Sequence, residues 1–163
     1  RLCKEFGMTV FGVDPKTTEL KNIIEKIYHP SNLKYILPKA DFIISTVPET
    51  PDSNKMFGSE EFKLMKNSAY FINIGRGTTV SLNDLNNAID LGEIAGAALD
   101  VFETEPLPKN HLLWAHENVI ITPHVAAEGP YLDERRSEIF INNCIKFNNG
   151  KRLNNVVDKA KWF

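Results

Sequence analysis

Three side chains that could do chemistry together follow apolar runs at well-separated points of the chain: Arg76, Glu105 and His124. An arginine can bind a carboxylate through two parallel hydrogen bonds, and a histidine can transfer a proton near neutral pH. A glutamate in contact with that histidine would fix the orientation of its ring and support its charged form. Together these groups suit the reduction of a 2-oxo acid.

The elements that must position these groups are short apolar runs of the kind that form buried parallel strands. Helical patterns separate the runs, so the sequence predicts an α/β fold with a parallel sheet. In such sheets ligands bind beyond the carboxyl ends of the strands. We therefore expect the side chains that follow the runs to converge along one edge. The predicted strands are Met8–Val13, Phe42–Val47, Tyr70–Ile74, Gly96–Val101 and Asn118–Thr122.

Capping residues and helical spacing predict the intervening helices. Ser31 is predicted to cap a short helix that runs to Leu37, and Ser59 to cap the helix that starts at Glu60. Ser81 and Asp84 form a capping-box pattern before a helix that Gly92 ends. Two further helices are predicted at Thr18–Ile27, with apolar Leu20, Ile23, Ile24 and Ile27, and at about Tyr131–Asn149, with Ile139, Phe140, Cys144, Ile145 and Phe147 toward a core.

Composition narrows the class of protein. The 163 residues are 42% hydrophobic and 25% charged, which is ordinary for a globular domain. With 19 basic and 21 acidic residues the net charge is -2, and no basic block indicates nucleic acid or an anionic membrane as a partner. Cys3 and Cys144 have no metal-ligand spacing, so we interpret both as small packing residues in a reducing compartment.

Acidic residues at two places in the chain have alternative interpretations. Asp14 ends the first predicted strand, where a dinucleotide-binding unit has an acid that accepts hydrogen bonds from the adenosine ribose. Asp-Pro also opens turns, and nearby Lys16 leaves room for a phosphate. Likewise, Asp100, Glu103 and Glu105 either lie at the site or only solvate a loop.

Three motifs then occur in order: Asn73-Ile74-Gly75-Arg76-Gly77, Ala98-Leu99-Asp100-Val101-Phe102-Glu103-Thr104-Glu105-Pro106 and Thr122-Pro123-His124-Val125-Ala126. They resemble the D-isomer-specific 2-hydroxyacid dehydrogenases. Residues 107–114 most resemble the glyoxylate and hydroxypyruvate reductase branch. The resemblance implies a Rossmann-type doubly wound sheet that binds NAD(H), with NADP(H) as the alternative cofactor.

The same resemblance implies a role for each matching residue. Arg76 would bind the substrate carboxylate, His124 would be the acid/base, and Glu105 would orient and support it. Asp14 would bind the ribose and Asp100 would meet the nicotinamide carboxamide. The implied cofactor-binding residues are completed by Val47, Pro48, Ile74, Gly75, His124 and Ala126. His29, His111 and His116 have no such match and are predicted to be surface residues.

The chain departs from the family at its N-terminus, where the first strand and the glycine-rich turn have no counterpart. We therefore expect residues 1–163 to be a partial dinucleotide-binding domain, with a helix at about 131–150 that leans on a separate substrate domain. The whole protein is then expected to be a cytoplasmic homodimer acting on a small 2-oxo or 2-hydroxy acid. Two alternatives remain: an NAD(H)-sensing transcriptional corepressor of the C-terminal binding protein type, and an inert structural module.

Overall fold

The computed structural model of the chain describes residues 1–15 and 23–160. In that part, short parallel strands alternate with helices and turns. The helices are α1 (Leu2–Glu5), α2 (Leu33–Ile36), α3 (Ser59–Leu64), α4 (Leu82–Asp90) and α5 (Leu132–Asn148). The strands are β1 (Phe11–Val13), β2 (Lys26–Tyr28), β3 (Phe42–Ser45), β4 (Tyr70–Asn73), β5 (Gly96–Leu99) and β6 (Val119–Ile121).

The predicted parallel sheet is present. Strands β3, β4, β5 and β6 lie side by side in that order, and every pair is parallel. One row of aligned residues, Ser45, Asn73, Leu99 and Ile121, crosses all four strands at their carboxyl ends. The loops that carry the candidate site residues therefore leave the sheet along one edge.

The helix predicted at Thr18–Ile27 is wrong at its C-terminal end. Ile27 lies in β2, which pairs in parallel with β1 so that Gly12 is opposite Ile27. A Cβ atom on Gly12 would lie 3.3 Å from Ile27 and 3.4 Å from Ile24, so both isoleucines pack on this strand. The helical spacing was misleading because pairing with a distant segment determines the conformation here. Leu20 lies outside the described residues.

Strands β1 and β2 form a separate two-stranded sheet, so Asp14 does not follow a strand of the four-stranded sheet. Strand β1 also begins three residues later than predicted, at Phe11. The four strands of the larger sheet, β3 to β6, agree with the predicted runs to within two residues at either end.

The helix caps agree in part with the sequence. Ser81 caps α4 as predicted, since its hydroxyl accepts a hydrogen bond from the Asp84 amide. Two predicted caps are wrong. Gly58, not Ser59, precedes α3, and the Glu61 carboxylate accepts its amide at 3.2 Å. His29, not Ser31, caps the 3₁₀ turn before α2, because its ring nitrogen accepts the Ser31 amide.

The core lies on one face of the four-stranded sheet. Ile43, Phe71 and Leu99 project from that face and pack with Phe62 of α3 and Leu85 of α4, all of them buried. The opposite face is apolar as well, but it is exposed. Its large exposed side chains are Phe42, Ile44, Tyr70 and Ile120.

Helix α5 is present within one residue of its predicted bounds, but its apolar side chains do not face a core. None of its residues is buried. The predicted core residues Ile139, Phe140, Cys144, Ile145 and Phe147 are all exposed. Only their placement toward a core of this chain is wrong, because periodicity identifies an apolar stripe without identifying what covers it; that the helix leans on a separate substrate domain stays a prediction. In the described ranges, every helix is too short or too polar to cross a membrane.

Candidate active site at the carboxyl ends of the strands

Glu105 and His124 are in direct contact although they are 19 positions apart in the sequence. Glu105 follows β5 and His124 follows β6, which are neighbouring strands. The Oε2 atom of Glu105 lies 2.7 Å from Nδ1 of His124. The side chains are 36% and 46% exposed, so the pair is open to a ligand while one side packs on the protein.

The surroundings of Glu105 favour its ionised form. The hydrogen bond from His124 lowers the pKa of Glu105 below its ordinary value, and the Phe102 amide, which donates to Oε1 at 3.0 Å, adds to this. Burial acts in the opposite direction but does not prevail. Because an ionised carboxylate only accepts hydrogen bonds, Nδ1 of His124 carries a proton. Nε2 is the ring nitrogen that remains for proton transfer to a ligand.

The lowered pKa of Glu105 predicts a dependence of stability on pH. A carboxylate whose pKa is lower in the folded state stabilises the fold above its unfolded pKa of about 4.3, and that contribution disappears as the pH falls through the folded value. We therefore expect the difference in unfolding free energy between wild type and Glu105→Gln to be larger at about pH 6 than at about pH 3. Urea denaturation at a series of pH values measures it.

The matched control is Glu117→Gln, at an exposed glutamate that precedes β6. Its difference from wild type should vary less over the same range of pH. If the difference in unfolding free energy between wild type and Glu105→Gln stays constant across this range of pH, the assignment of an ionised Glu105 paired with His124 is contradicted.

Arg76 lies on a loop whose backbone packs closely against the loops that follow β3 and β5. A Cβ atom on Gly75 would lie 2.6 Å from the Val47 carbonyl oxygen, and one on Gly77 would lie 1.9 Å from the Phe102 carbonyl carbon. Both contacts are with backbone, so only glycine fits at either position. The exposed guanidinium of Arg76 donates to the Gly75 carbonyl at 2.7 Å. Within the described residues its side chain has no other hydrogen bond, so its remaining donors are available to an anionic ligand.

Asn73 organises this loop, and sequence reasoning did not single it out. Its side chain, only 1% exposed, accepts the Gly75 amide at 3.1 Å and donates to the Arg76 carbonyl at 3.1 Å. The Thr79 hydroxyl donates to the same carbonyl at 2.7 Å. A buried amide that bridges both sides of a loop fixes its conformation. The available signal was a polar residue at the end of an apolar strand.

Asp100 is buried, with 3% exposure, and its carboxylate binds the loop that carries His124. Its Oδ1 accepts from the Thr122 hydroxyl at 2.6 Å and the Val125 amide at 2.8 Å, and its Oδ2 accepts the Ala126 amide at 2.8 Å. Burial raises the pKa of Asp100, but these hydrogen bonds and the charge of His124 outweigh burial, so the pKa is lowered overall. Asp100 is therefore an ionised anchor for this loop.

The other cofactor-binding residues implied by sequence lie at strand ends. Val47 and Pro48 follow β3, Ile74 and Gly75 follow β4, and Ala126 follows β6. Asp14 follows β1 and is exposed. Ile74 and Val125 are 44% and 42% exposed, so the edge with the Glu105 and His124 pair also presents apolar surface.

The side chains at these strand ends fit the two ends of a nicotinamide dinucleotide. Apolar surface beside a proton-carrying imidazole suits the nicotinamide ring and the carbonyl substrate next to it. An exposed carboxylate at the end of β1 suits a ribose with two free hydroxyl groups.

Several neighbouring residues have structural roles instead. Glu103 accepts the Leu82 amide at 3.1 Å and thereby caps α4, so it does more than solvate a loop. His29 is exposed, as predicted, but the His116 side chain is only 16% exposed and lies 2.9 Å from the Asn86 side-chain oxygen. The prediction that His116 is a surface residue was therefore wrong. Over residues 1–15 and 23–160, no cluster of three or more metal-ligating side chains occurs.

Comparison with known proteins identifies residues 1–126 as a match to the family model "D-isomer specific 2-hydroxyacid dehydrogenase, NAD binding domain". That range includes all three motifs.

Individual relatives have names that agree with this family match. A glyoxylate reductase of Pyrococcus furiosus is 39% identical over 160 residues, which are 98% of this chain and 47% of that protein. A probable 2-ketogluconate reductase of Dictyostelium discoideum is 39% identical over 139 residues, 84% of this chain and 42% of that protein. The chain spans about half the length of the curated relatives it matches.

Among solved structures, the NADPH-dependent glyoxylate/hydroxypyruvate reductase of Sinorhizobium meliloti in complex with NADP and sulfate superposes with a TM-score of 0.87. It is 32% identical, and the alignment covers 100% of this chain and 52% of that one.

Proposed function

We propose that this chain, which belongs to the D-isomer-specific 2-hydroxyacid dehydrogenase family and is of its NAD-binding domain type, carries the catalytic groups for reducing a small 2-oxo acid. The product is the D-2-hydroxy acid, and glyoxylate and hydroxypyruvate are the substrates to test first. The observation that carries the proposal is the 2.7 Å contact between Glu105 and His124. It provides a proton donor whose ring is oriented by an ionised carboxylate.

His124 supplies the proton of the proposed reaction. Glu105 fixes Nδ1 and leaves Nε2 to donate to the substrate oxygen as negative charge develops there. When the imidazole is charged, the carboxylate beside it stabilises that charge. After transfer, the neutral ring keeps its orientation because Nδ1 still donates to Glu105.

Arg76 binds and orients the substrate in this proposal. A guanidinium matches the carboxylate of a 2-oxo acid bidentately, and the loop that presents it is fixed by Asn73 and by the close approach at Gly77. A preformed position for Arg76 reduces the entropy that binding must overcome. Its positive charge also polarises the carbonyl group next to the bound carboxylate.

The cofactor would be held by Asp14 at its ribose and by Val47, Pro48, Ile74, Gly75, Asp100, His124 and Ala126 along the sheet edge. The chemistry that a reduced nicotinamide supplies there is hydride transfer to the carbonyl carbon. The Sinorhizobium relative is NADPH-dependent, so both cofactors are tested.

The first experiment measures oxidation of NADH and NADPH by the whole protein with glyoxylate, hydroxypyruvate and pyruvate in turn. We expect turnover with at least one of these acids. Binding of cofactor with no turnover of any 2-oxo acid would contradict the proposal and favour an NAD(H) sensor.

Asp14 is proposed to favour NADH. Replacing it with alanine removes a charged acceptor for the ribose hydroxyls, so we expect the ratio of NADH to NADPH affinity to fall about tenfold. Titration of cofactor fluorescence measures both affinities. Asp133→Ala, at an exposed position of α5, is the control and should leave the ratio unchanged. An unchanged ratio in Asp14→Ala would overturn the assignment.

We further propose that α5 packs against a substrate-binding domain. We also propose that the whole protein is a homodimer and that it resides in the cytoplasm, a reducing compartment. The exposed apolar side chains of α5 support the first part, since such patches mark surfaces that bind other protein. Both cysteines are free, which agrees with a reducing compartment. Light scattering on the whole protein tests the dimer.

A further inference from the structure

His124 has an unusual backbone conformation. Its φ angle is 57°, in the left-handed region that side-chain-bearing residues rarely adopt. Such a conformation persists only where the surrounding structure holds it. The contact with Glu105 depends on it, because the backbone angles at residue 124 determine where the imidazole ring lies.

The structure shows what holds this conformation. The carboxylate of Asp100 binds the chain on both sides of His124, at Thr122 before it and at Val125 and Ala126 after it. The Thr122 amide also donates to the Leu99 carbonyl at 2.9 Å, which extends the pairing of β6 up to this residue. Pro123 and His124 lie between Thr122 and Val125 and make no hydrogen bond to Asp100.

Thr122 supplies the single side-chain donor among these three bonds to Asp100. Its hydroxyl donates at 2.6 Å to an ionised, buried carboxylate, which makes this a strong, charge-assisted hydrogen bond. The other two donors are backbone amides on the far side of His124. Without the hydroxyl, Asp100 would hold the loop only from the far side of His124, and the side nearest the sheet would keep only the bond from the Thr122 amide to the Leu99 carbonyl.

We propose that Thr122 is a positioning residue for His124: its hydroxyl, acting through Asp100, holds the imidazole so that Nδ1 meets Glu105 and Nε2 is presented to the substrate. The catalytic part of this inference rests on the proposed function. The part that concerns ring orientation rests only on geometry. Among the described residues the Thr122 hydroxyl donates to Asp100 and not to the imidazole ring, so its effect is indirect.

The test compares Thr122→Val, which keeps the shape and removes the hydroxyl, with Thr122→Ser, which keeps the hydroxyl. Nitrogen NMR of the His124 ring at about pH 9, above the ordinary imidazole titration, reports which nitrogen carries the proton. Wild type and Thr122→Ser are expected to have it on Nδ1, facing Glu105. In Thr122→Val the population protonated at Nε2 should rise about tenfold relative to wild type.

The second readout is the reaction itself. Thr122→Val should lower kcat for the 2-oxo acid about tenfold while KM, which Arg76 determines, changes little. Thr122→Ser, which keeps the hydroxyl, should have the kcat of wild type. Thr122→Ala should have the same low kcat as Thr122→Val, which shows that the loss comes from the missing hydroxyl and not from the methyl group that valine has in its place. A merely structural role would raise KM and lower kcat together, or would not be restored by serine.

The two proposals fail differently. If wild type turns over no 2-oxo acid, the proposed function fails, and the nitrogen spectra still decide the orientation of the ring. If Thr122→Val keeps its proton on Nδ1, or keeps wild-type kcat in an active protein, the positioning role is overturned. It is equally overturned if Nδ1 is unprotonated in wild type.

Discussion

Replacing His124 with alanine is expected to lower kcat by a factor of about 10² to 10⁴, the usual contribution of a positioned general acid. The variant removes the proton donor, and it leaves the anchoring of its loop by Asp100 in place because those bonds involve Thr122, Val125 and Ala126. Cofactor oxidation in the presence of each 2-oxo acid measures the effect.

The control for this variant is His29→Ala, because His29 is exposed and its ring, within residues 1–15 and 23–160, hydrogen-bonds only to Ser31. Its kcat should equal that of wild type. The double variant His124→Ala with Glu105→Gln provides a sharper test. Residues that act as one unit are not additive, so the double variant should be no slower than His124→Ala alone. Additive losses would show that Glu105 acts independently of His124 and would contradict the proposed pair.

Gly77→Ala is expected to have the largest effect on the fold of the site. The new Cβ would lie 1.9 Å from the Phe102 carbonyl carbon and 2.0 Å from its oxygen, distances that no backbone can accept. The loop after β4 must therefore separate from the loop after β5. We expect the free energy of unfolding to fall by about 3 kcal/mol, the upper end for overpacking, and urea denaturation measures it.

The same substitution should weaken substrate binding, because Arg76 lies on the displaced loop and would lose its fixed position. In an active protein this appears as a raised KM for the 2-oxo acid. The matched control is Gly129→Ala, where a Cβ would meet no atom within 4 Å. Its unfolding free energy should stay within about 0.5 kcal/mol of wild type. Equal stability of the two variants would contradict the close approach at Gly77.

Most of the architecture follows from local sequence. Residues 42–47, 70–74 and 96–101 are predicted as parallel strands, and each contains a strand of the observed four-stranded sheet. Ser81 is predicted as a cap, and it is one. These features are predictable because each depends on a few adjacent residues: an apolar run, a hydroxyl before a helix, or a glycine after it.

Where the local signal competes with distant pairing, sequence reasoning failed. The predicted helix at residues 18–27 rests on helical spacing, yet its last two residues lie in β2, which pairs with β1. The stripe on α5 has the spacing of a packed helix, but nothing in the described part of the chain buries it. Periodicity reports which face is apolar, and only tertiary contacts determine whether that face is covered.

The candidate site divides in the same way. The types and order of Arg76, Glu105 and His124 are properties of the sequence, and with the parallel-sheet rule they indicate one edge and one kind of chemistry. Two features were decided by the tertiary structure alone. They are the hydrogen bonds of Asp100 on both sides of His124 and the backbone contact at Gly77. The physical reason is that hydrogen bonds and close approaches between loops depend on the register of the strands beneath them, and that register is set by packing across the whole sheet.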